Sequence, residues 1–547
     1  MRFTLSTALA LAVLATPAMA QEIGGDVAED AERASSRSEI APYIEAAQVV
    51  TAQLEPGDDV VTYTRLAAGV DASLGARYSE GSVSLRYERR IGYSDEVSDA
   101  DTLSGIARAA VALAGPNVTL EAGGLASRTR VEGSGAVTQG DFGARDDATS
   151  QIYSVYAGPS VQTQVGVAEV TGAYRVGYTR AEAPDAVVLA PGQQPVDIFD
   201  EAVTHNAAIR AGVAPDTVLP VGVGVGAGWN RQDVSNLDQR IDDKYVRADV
   251  TVPVSPNVAL VGGVGYEDVE ISSRDVLRDA DGDPVRGTDG RFVTDESGPR
   301  QIAYQTDGLI WDVGVMWRPS DRTSLLAAVG RRYGSTTYYG TLSYAPNQRS
   351  SLNVSVYDNL NSFGGQVVGV LDDLGTDFDA FRNPISGDLG GCVIGAGEGN
   401  NCALAQLGSI RSAVYRSRGV SASYGLDLGR TQAGFGVGYD RRRFIGAQGT
   451  VLAALDGIVD ESYWLAAYAS RRLDRLSQLS LGASATVFDS GVDASADALG
   501  YSLQAAYNRN FLAGLSGTAA IGLDGITRDS LPDYQAASAL VGVRYTF

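Results

Sequence analysis

The sequence predicts an all-β chain: a single transmembrane antiparallel β-barrel of about twenty-two strands (roughly 18 to 22), with short periplasmic turns, long extracellular loops and no plug domain. Three observations predict it. Two-residue alternation of apolar and polar side chains recurs along most of the chain, as in strands whose two faces meet different media. Tight, turn-like connections alternate with long ones. The chain also stops on a strand, Val541-Gly542-Val543-Arg544-Tyr545-Thr546-Phe547, whose apolar and aromatic residues share one parity.

The elements follow in order. Residues 1–20 read as a secretory signal: Arg2 gives the positive start, Leu9 to Ala15 the apolar core, and Ala18-Met19-Ala20 the cleavage site before Gln21. No later apolar stretch reaches spanning length for a helix, so the mature chain is soluble or crosses a membrane as a barrel. Residues 21–38 form an acidic lead-in (Glu22, Asp26, Glu29, Asp30, Glu32). From there to residue 547, a single barrel domain (39–547), strand candidates fall at 41–54, 60–75, 82–93, 102–114, 117–131, 149–163, 166–180, 202–214, 219–233, 244–255 and 257–272. They continue at 304–318, 323–335, 336–346, 350–358, 414–429, 431–444, 459–472, 477–489, 498–511, 514–527 and 534–547. Most are long enough to cross a bilayer at a tilt, which takes about nine to eleven residues.

Connections after even-numbered strands are short and carry Pro, Gly, Asn or Asp, as at Gly115-Pro116-Asn117 and Pro319-Ser320-Asp321; these residues supply the backbone angles of tight turns. Connections after odd-numbered strands are mostly long: 132–148, 181–201, 273–303, 359–413 and 445–458. The 335/336 boundary is the exception. This alternation suits a barrel with both termini periplasmic, and a sandwich or propeller gives no reason for it.

A formal net charge of −23 with one lysine, Lys244, argues against nucleic-acid binding, which needs clustered positive charge. Cys392 and Cys402, the two cysteines, share one Gly-rich loop of an exported chain, and a local disulfide is expected. No metal or cofactor is expected: the loop offers too few ligands for a metal, and Arg278-Asp279-Ala280-Asp281-Gly282-Asp283-Pro284 lacks the glycine placement and closing glutamate of an EF-hand. His205, the only histidine, has no nucleophile motif beside it, so no catalytic site is expected.

Twenty-two strands spaced about 4.8 Å apart and tilted about 40° enclose a diameter of about 45 Å. Barrels of that size are commonly plugged transporters. The stretch before the first strand is far too short for a plug, so the TonB-dependent transporter reading loses a necessary part. The pore is then open, or blocked by another chain or by loops, with 359–413 either folding into the lumen or lying as a surface flap.

Parity sorts the charges. Arg86, Glu88, Arg175, Arg247, Asp249, Asp312, Asp427 and Arg544 fall on the lumen face, where mixed charge sets a transverse field or cross-links a wide wall. Arg89, Arg180, Arg231, Arg331, Arg441 and Arg443 end apolar, outward rows, a place to meet lipopolysaccharide phosphates, which guanidinium binds well; pairing with loop carboxylates is the alternative. Tyr93, Tyr178, Trp229, Trp317 and Tyr545 suit the interfacial girdles.

The ending resembles the C-terminal signature of bacterial outer-membrane barrels, with Phe547 last and Tyr545 two residues before it; the resemblance implies an assembly signal read by the barrel-assembly machinery. Tyr43–Leu54, Tyr153–Gly166, Leu260–Ser272 and Asp307–Leu325 resemble a family of alphaproteobacterial outer-membrane β-barrel porins, whose wider group includes barrels linked to exopolysaccharide export. The resemblance implies the cell outer membrane, contact with its lipid and lipopolysaccharide, and polysaccharide-export components as partners. The functional expectation is a porin-like channel or export conduit for polar solutes, saccharides among them. A non-conducting surface scaffold or adhesin is the alternative, with an outer-membrane enzyme behind it.

Overall fold

The computed structural model describes residues 38–547, except 94–96, 98, 116, 132–136, 139–148, 183–198, 289, 348, 396–401, 403–408, 492–496 and 530–531. The expected signal and, but for Ser38, the lead-in lie outside the described residues.

Twenty-two wall strands, with the two-residue strand Val137–Thr138 paired beside Arg130 and Val131, form one antiparallel sheet that closes on itself. They are β1 (Ser38–Glu55), β2 (Val60–Ala76), β3 (Ser79–Gly92), β4 (Ala100–Ala112), β5 (Val118–Val131), β6 (Thr149–Val165), β7 (Ala168–Glu182), β8 (Glu201–Val213), β9 (Gly222–Val234), β10 (Gln239–Ser255) and β11 (Val258–Ser273). The circuit continues with β12 (Gln301–Ser320), β13 (Thr323–Arg332), β14 (Ser335–Asn347), β15 (Ser350–Asn361), β16 (Tyr415–Asp427), β17 (Thr431–Phe444), β18 (Val459–Arg472), β19 (Ser477–Asp489), β20 (Ala498–Leu512), β21 (Leu515–Arg528) and β22 (Tyr534–Thr546). Each strand pairs with the next, and β22 pairs with β1 from Tyr43↔Thr546 to Ala52↔Ala537. Closure removes the unpaired edges that a hydrocarbon medium does not tolerate.

The closing strand keeps the parity of its sequence. Val541, Val543, Tyr545 and Phe547 are 70, 51, 43 and 70 % exposed, while Leu540 is buried. The apolar row therefore faces out all round the wall, as Leu481, Leu503, Ile521, Val225, Val264 and Val313 also do. Among the described residues no helix is long and apolar enough to cross a membrane.

The 335/336 exception is a true short connection. β13 and β14 are joined by Tyr333 and Gly334 alone, at φ +53° and +64°. Two consecutive positive φ angles make the tight hairpin turn whose twist matches the strands.

The long connection 362–414 does not lie outside the barrel. It enters the lumen as α1 (Phe363–Asp372), continues as a small hairpin of Phe378–Arg382 against Leu389–Gly395, and returns to β16. Ser362 caps α1 by accepting from the Gly365 N–H, a standard way to satisfy a first-turn donor. Phe363, Val367, Val368 and Leu371 pack on Phe199, Ala202, Tyr156 and Val234 of the wall and its neighbouring loop. Further along, Ile385 is buried among Ala47, Val49, Tyr63, Ala506, Ala520 and Leu540. The expectation of no plug domain is corrected. The plug comes from inside the chain, between two adjacent strands, which a search before the first strand misses.

Candidate functional site

The site is the plugged lumen, built from the contacts between the 362–414 segment and the inward row of every strand it touches. On the β1–β5 side the anchors are mostly arginines of wall and segment. Arg65 donates to the carbonyls of Pro384, at 3.0 Å, and Ile385. Arg382 donates to Ser84 Oγ (3.1 Å), Ser104 Oγ (2.8 Å) and the Gly387 carbonyl (3.0 Å). Arg128 pairs with Asp388 at 2.9 Å. Thr376 Oγ1 donates to Glu80 at 2.7 Å, and the Phe378 N–H donates to Ser82 Oγ at 3.1 Å. Further round the wall, on β18, Phe381 stacks on Tyr468 with ring centroids 5.7 Å apart.

One buried arginine of β17 holds both limbs of the segment. Arg442 donates to Gln366 Oε1 on α1 (2.8 Å), to the Ser409 carbonyl on the return limb (2.7 Å) and to Asp440 (2.7 Å). Asp440 also accepts from Ser417 (2.5 Å) and Tyr357 (3.2 Å). Burial of such charges is tolerated where they are paired and hydrogen-bonded. Cys392 and Cys402 are joined as a disulfide, ten residues apart in sequence, next to Trp464 and Tyr468.

The C-terminal end of α1 carries two carboxylates and no basic residue in its last turn, although the carbonyl end of a helix favours cations. Arg175 supplies the cation from β7: its Nε lies 2.9 Å from Asp372 and its Nη2 2.8 Å from Glu121. Glu121 in turn pairs with Arg108 at 3.0 Å. Asp373, with no paired cation, points into the enclosed lumen. That enclosure and the charge of Asp372 push its carboxyl up to about 6, against the pull of Arg108.

The expected lumen charges fall as follows. Arg86 binds Glu45 at 2.9 Å and Glu88 at 3.0 Å. Arg247 pairs with Asp312 at 2.9 Å and Asp249 with Arg210 at 2.5 Å. Arg544 meets Asp71 at 2.7 Å and covers the Tyr43 ring. Asp427 sits at a short turn, where it accepts from the Gly429 N–H at 2.6 Å. Sequence parity gave no reason to single out Glu45, Arg65, Arg108, Glu121 or Arg442. The same inward alternation contains them, but which of them pair across nearby strands and which reach the 362–414 segment follows only from the folded lumen.

Outside, four of the six expected arginines already hold carboxylates: Arg89 with Asp99 (3.0 Å) and Asp101 (2.7 Å), Arg180 with Glu182 (3.5 Å), Arg231 with Asp233 (2.7 Å) and Arg441 with Glu461 (3.4 Å). Arg331 and Arg443 are exposed and make no ion pair among the described residues. His205 lies on the outer wall, where its Nδ1 is 2.8 Å from the Tyr174 hydroxyl and its ring stacks on Trp229 at 5.8 Å.

No family model matches the chain, and no curated protein matches it. Solved structures of similar fold include the apoprotein form of the FrpB iron transporter from Neisseria meningitidis, 9 % identical over 93 % of this chain and 81 % of that one, with a TM-score of 0.42. They also include the closed form of the ferric-catecholate import receptor Fiu from E. coli K12, 9 % identical over 92 % of this chain and 81 % of that one, with a TM-score of 0.44. The copper transporter OprC is 12 % identical over 93 % of this chain and 81 % of that one, with a TM-score of 0.38.

The functional expectation is corrected by the lumen itself: an open porin-like channel or saccharide export conduit does not fit a lumen crossed by 362–414. The protein is an outer-membrane β-barrel.

Proposed function

We propose that the protein is a plugged outer-membrane transporter, whose passage is shut while the 362–414 segment is docked and opens when part of it moves. One observation carries the reading: the segment is fastened to widely separated parts of the wall, to Arg65 on β2, Arg175 on β7 and Arg442 on β17, and the last two lie nearly opposite one another in the ring, so it crosses the lumen between them. The polar anchors suit a part that moves, since hydrogen bonds to a wet wall exchange readily for water.

The orientation we infer places both termini in the periplasm, because the short connections gather at the end where the chain stops. Phe547, outward and T-stacked on Tyr545 at 5.0 Å, supports the reading of this end as a signal for the barrel-assembly machinery. Arg331 and Arg443 are the two outward arginines left for lipopolysaccharide phosphate.

Planar-bilayer conductance tests the central claim. Asn361 pairs with Tyr415, so residues 362–414 can be replaced by a short glycine-containing turn without disturbing either strand. The folded full-length chain is expected to be nearly silent and the replaced chain to conduct steadily. A wild-type chain that conducts like the replaced one would overturn the reading.

A further inference from the structure

Two lumen cavities meet at the end of α1. One, of about 1230 Å³, opens toward the short turns and is lined by Asn117, Pro215, Asp249 and Arg318 among others. The other, of about 710 Å³, lies between α1 and the hydroxyl- and amide-bearing wall of β14–β16, with Ser343, Asn353, Ser355 and Ser421. Both are lined by Arg108, Leu374 and Gly375. These residues are the waist between the two spaces.

The chain at the waist leaves α1 directly after Asp372. Upstream, α1 is held by apolar packing; downstream, Thr376 and Phe378 are held by Glu80 and Ser82. Between them Leu374 is tucked into the same apolar cluster as α1, and the polar restraint is the Asp372–Arg175 pair at 2.9 Å. Arg175 is itself fixed from four directions: Ser160 Oγ at 2.8 Å, the Gly158 and Pro159 carbonyls at 3.3 and 3.1 Å, and Glu121. It is a rigid post. Glu121 passes the alternation on to Arg108, a waist residue on the adjacent strand β4. Without Arg175, the carbonyl end of α1 would carry two adjacent carboxylates with no cation bound to either.

We propose that the Asp372–Arg175 pair is the latch of the plug, so that its release frees residues 373–375 and joins the two cavities into one passage. This inference rests on the plugged-transporter reading and names its moving part. The hydroxyl-lined wall of β14–β16 is the side into which the freed chain moves, because that space is already open beside it.

The test uses the folded full-length chain. Arg175→Gln and Asp372→Asn each break the latch, and Arg175→Asp combined with Asp372→Arg restores it with the charges exchanged. Gly375→Cys, introduced in each background, reports the waist through its rate of labelling by a water-soluble maleimide; the native cysteines are held as a disulfide. Each single change is expected to raise open probability and labelling rate about tenfold, the size of one lost charge-assisted bond in a partly wet site, and the exchanged pair to return both toward wild type. Wild-type values in both single variants would overturn the latch. The replacement of 362–414 by a turn, run alongside, separates the outcomes: if it conducts while the latch variants stay silent, the plug stands and the latch falls; if it is silent too, both fall.

Discussion

Gly177 of β7 is the position at which the docking of α1 is most exposed to a single atom. A Cβ there would lie 2.6 Å from Val368 Cγ2, 3.0 Å from Val368 Cγ1 and 2.6 Å from Thr204 Oγ1. Val368 is buried and sits on the wall side of the helix, so it cannot swing out into a cavity. Gly177→Ala therefore pushes the helix off the wall by overpacking, at a cost of about 1–3 kcal/mol. That cost shifts the docked-to-undocked ratio by roughly 5- to 150-fold. Hydrogen exchange of residues 363–372 reads the shift directly, as faster exchange by the same factor, and bilayer conductance reads it as more frequent opening. Gly124→Ala is the matched control: on β5 the new Cβ meets nothing closer than 3.6 Å. If Gly177→Ala leaves exchange in α1 at the wild-type rate, the close contact between helix and wall does not hold the plug, and the reasoning fails.

Four other outcomes are expected. Asp373, with its carboxyl pushed up to about 6 in the docked state, takes a proton more readily there than when released, where its ordinary value is about 3.9. Docking should strengthen as pH falls from about 6 toward about 4 and lose that gain as pH rises again; Asp373→Asn should flatten the exchange profile of α1 across this window, and a profile unchanged by the substitution would refute the assignment. Cys392→Ser opens the ten-residue loop, losing about 2–4 kcal/mol of restraint, so exchange in 389–395 should rise while the thermal transition of the barrel stays put. Arg331→Gln with Arg443→Gln should lower co-purified lipopolysaccharide, whereas Arg89→Gln, already tied to two aspartates, should not; equal retention in all three would remove the phosphate contact. Deleting Phe547 costs one backbone bond, to the Pro42 carbonyl at 3.0 Å. It should cut assembly yield in cells and spare the stability of barrels already folded.

The wall was legible because a strand in a membrane writes its two environments into alternate residues. The row Val541, Val543, Tyr545 and Phe547 could be read outward from sequence, and the strand that it ends closes on β1. The tyrosine-glycine turn at 333–334 was visible only as an irregularity, since a two-residue hairpin leaves no stretch of loop composition. The plug was harder. Its segment has no sustained period, and its apolar residues (Phe363, Val367, Leu371, Ile385) look like an ordinary loop until the wall opposite them is known. Arg442 and Arg65 carry no motif either: each is one inward residue in an alternating row, and each matters through a carbonyl more than thirty residues away.

Ile385 sits against β1, β2, β20, β21 and β22 at once. Those strands are the first and the last of the chain, and the join between β1 and β22 is where the circle is closed. A side chain delivered from mid-sequence thus lies astride the seam, touching both of its lips from within. The wall cannot part there without uncovering an isoleucine, and the segment cannot leave without removing its backing from the seam. Obstruction of the passage and integrity of the cylinder are in this way one property, carried by the same few residues.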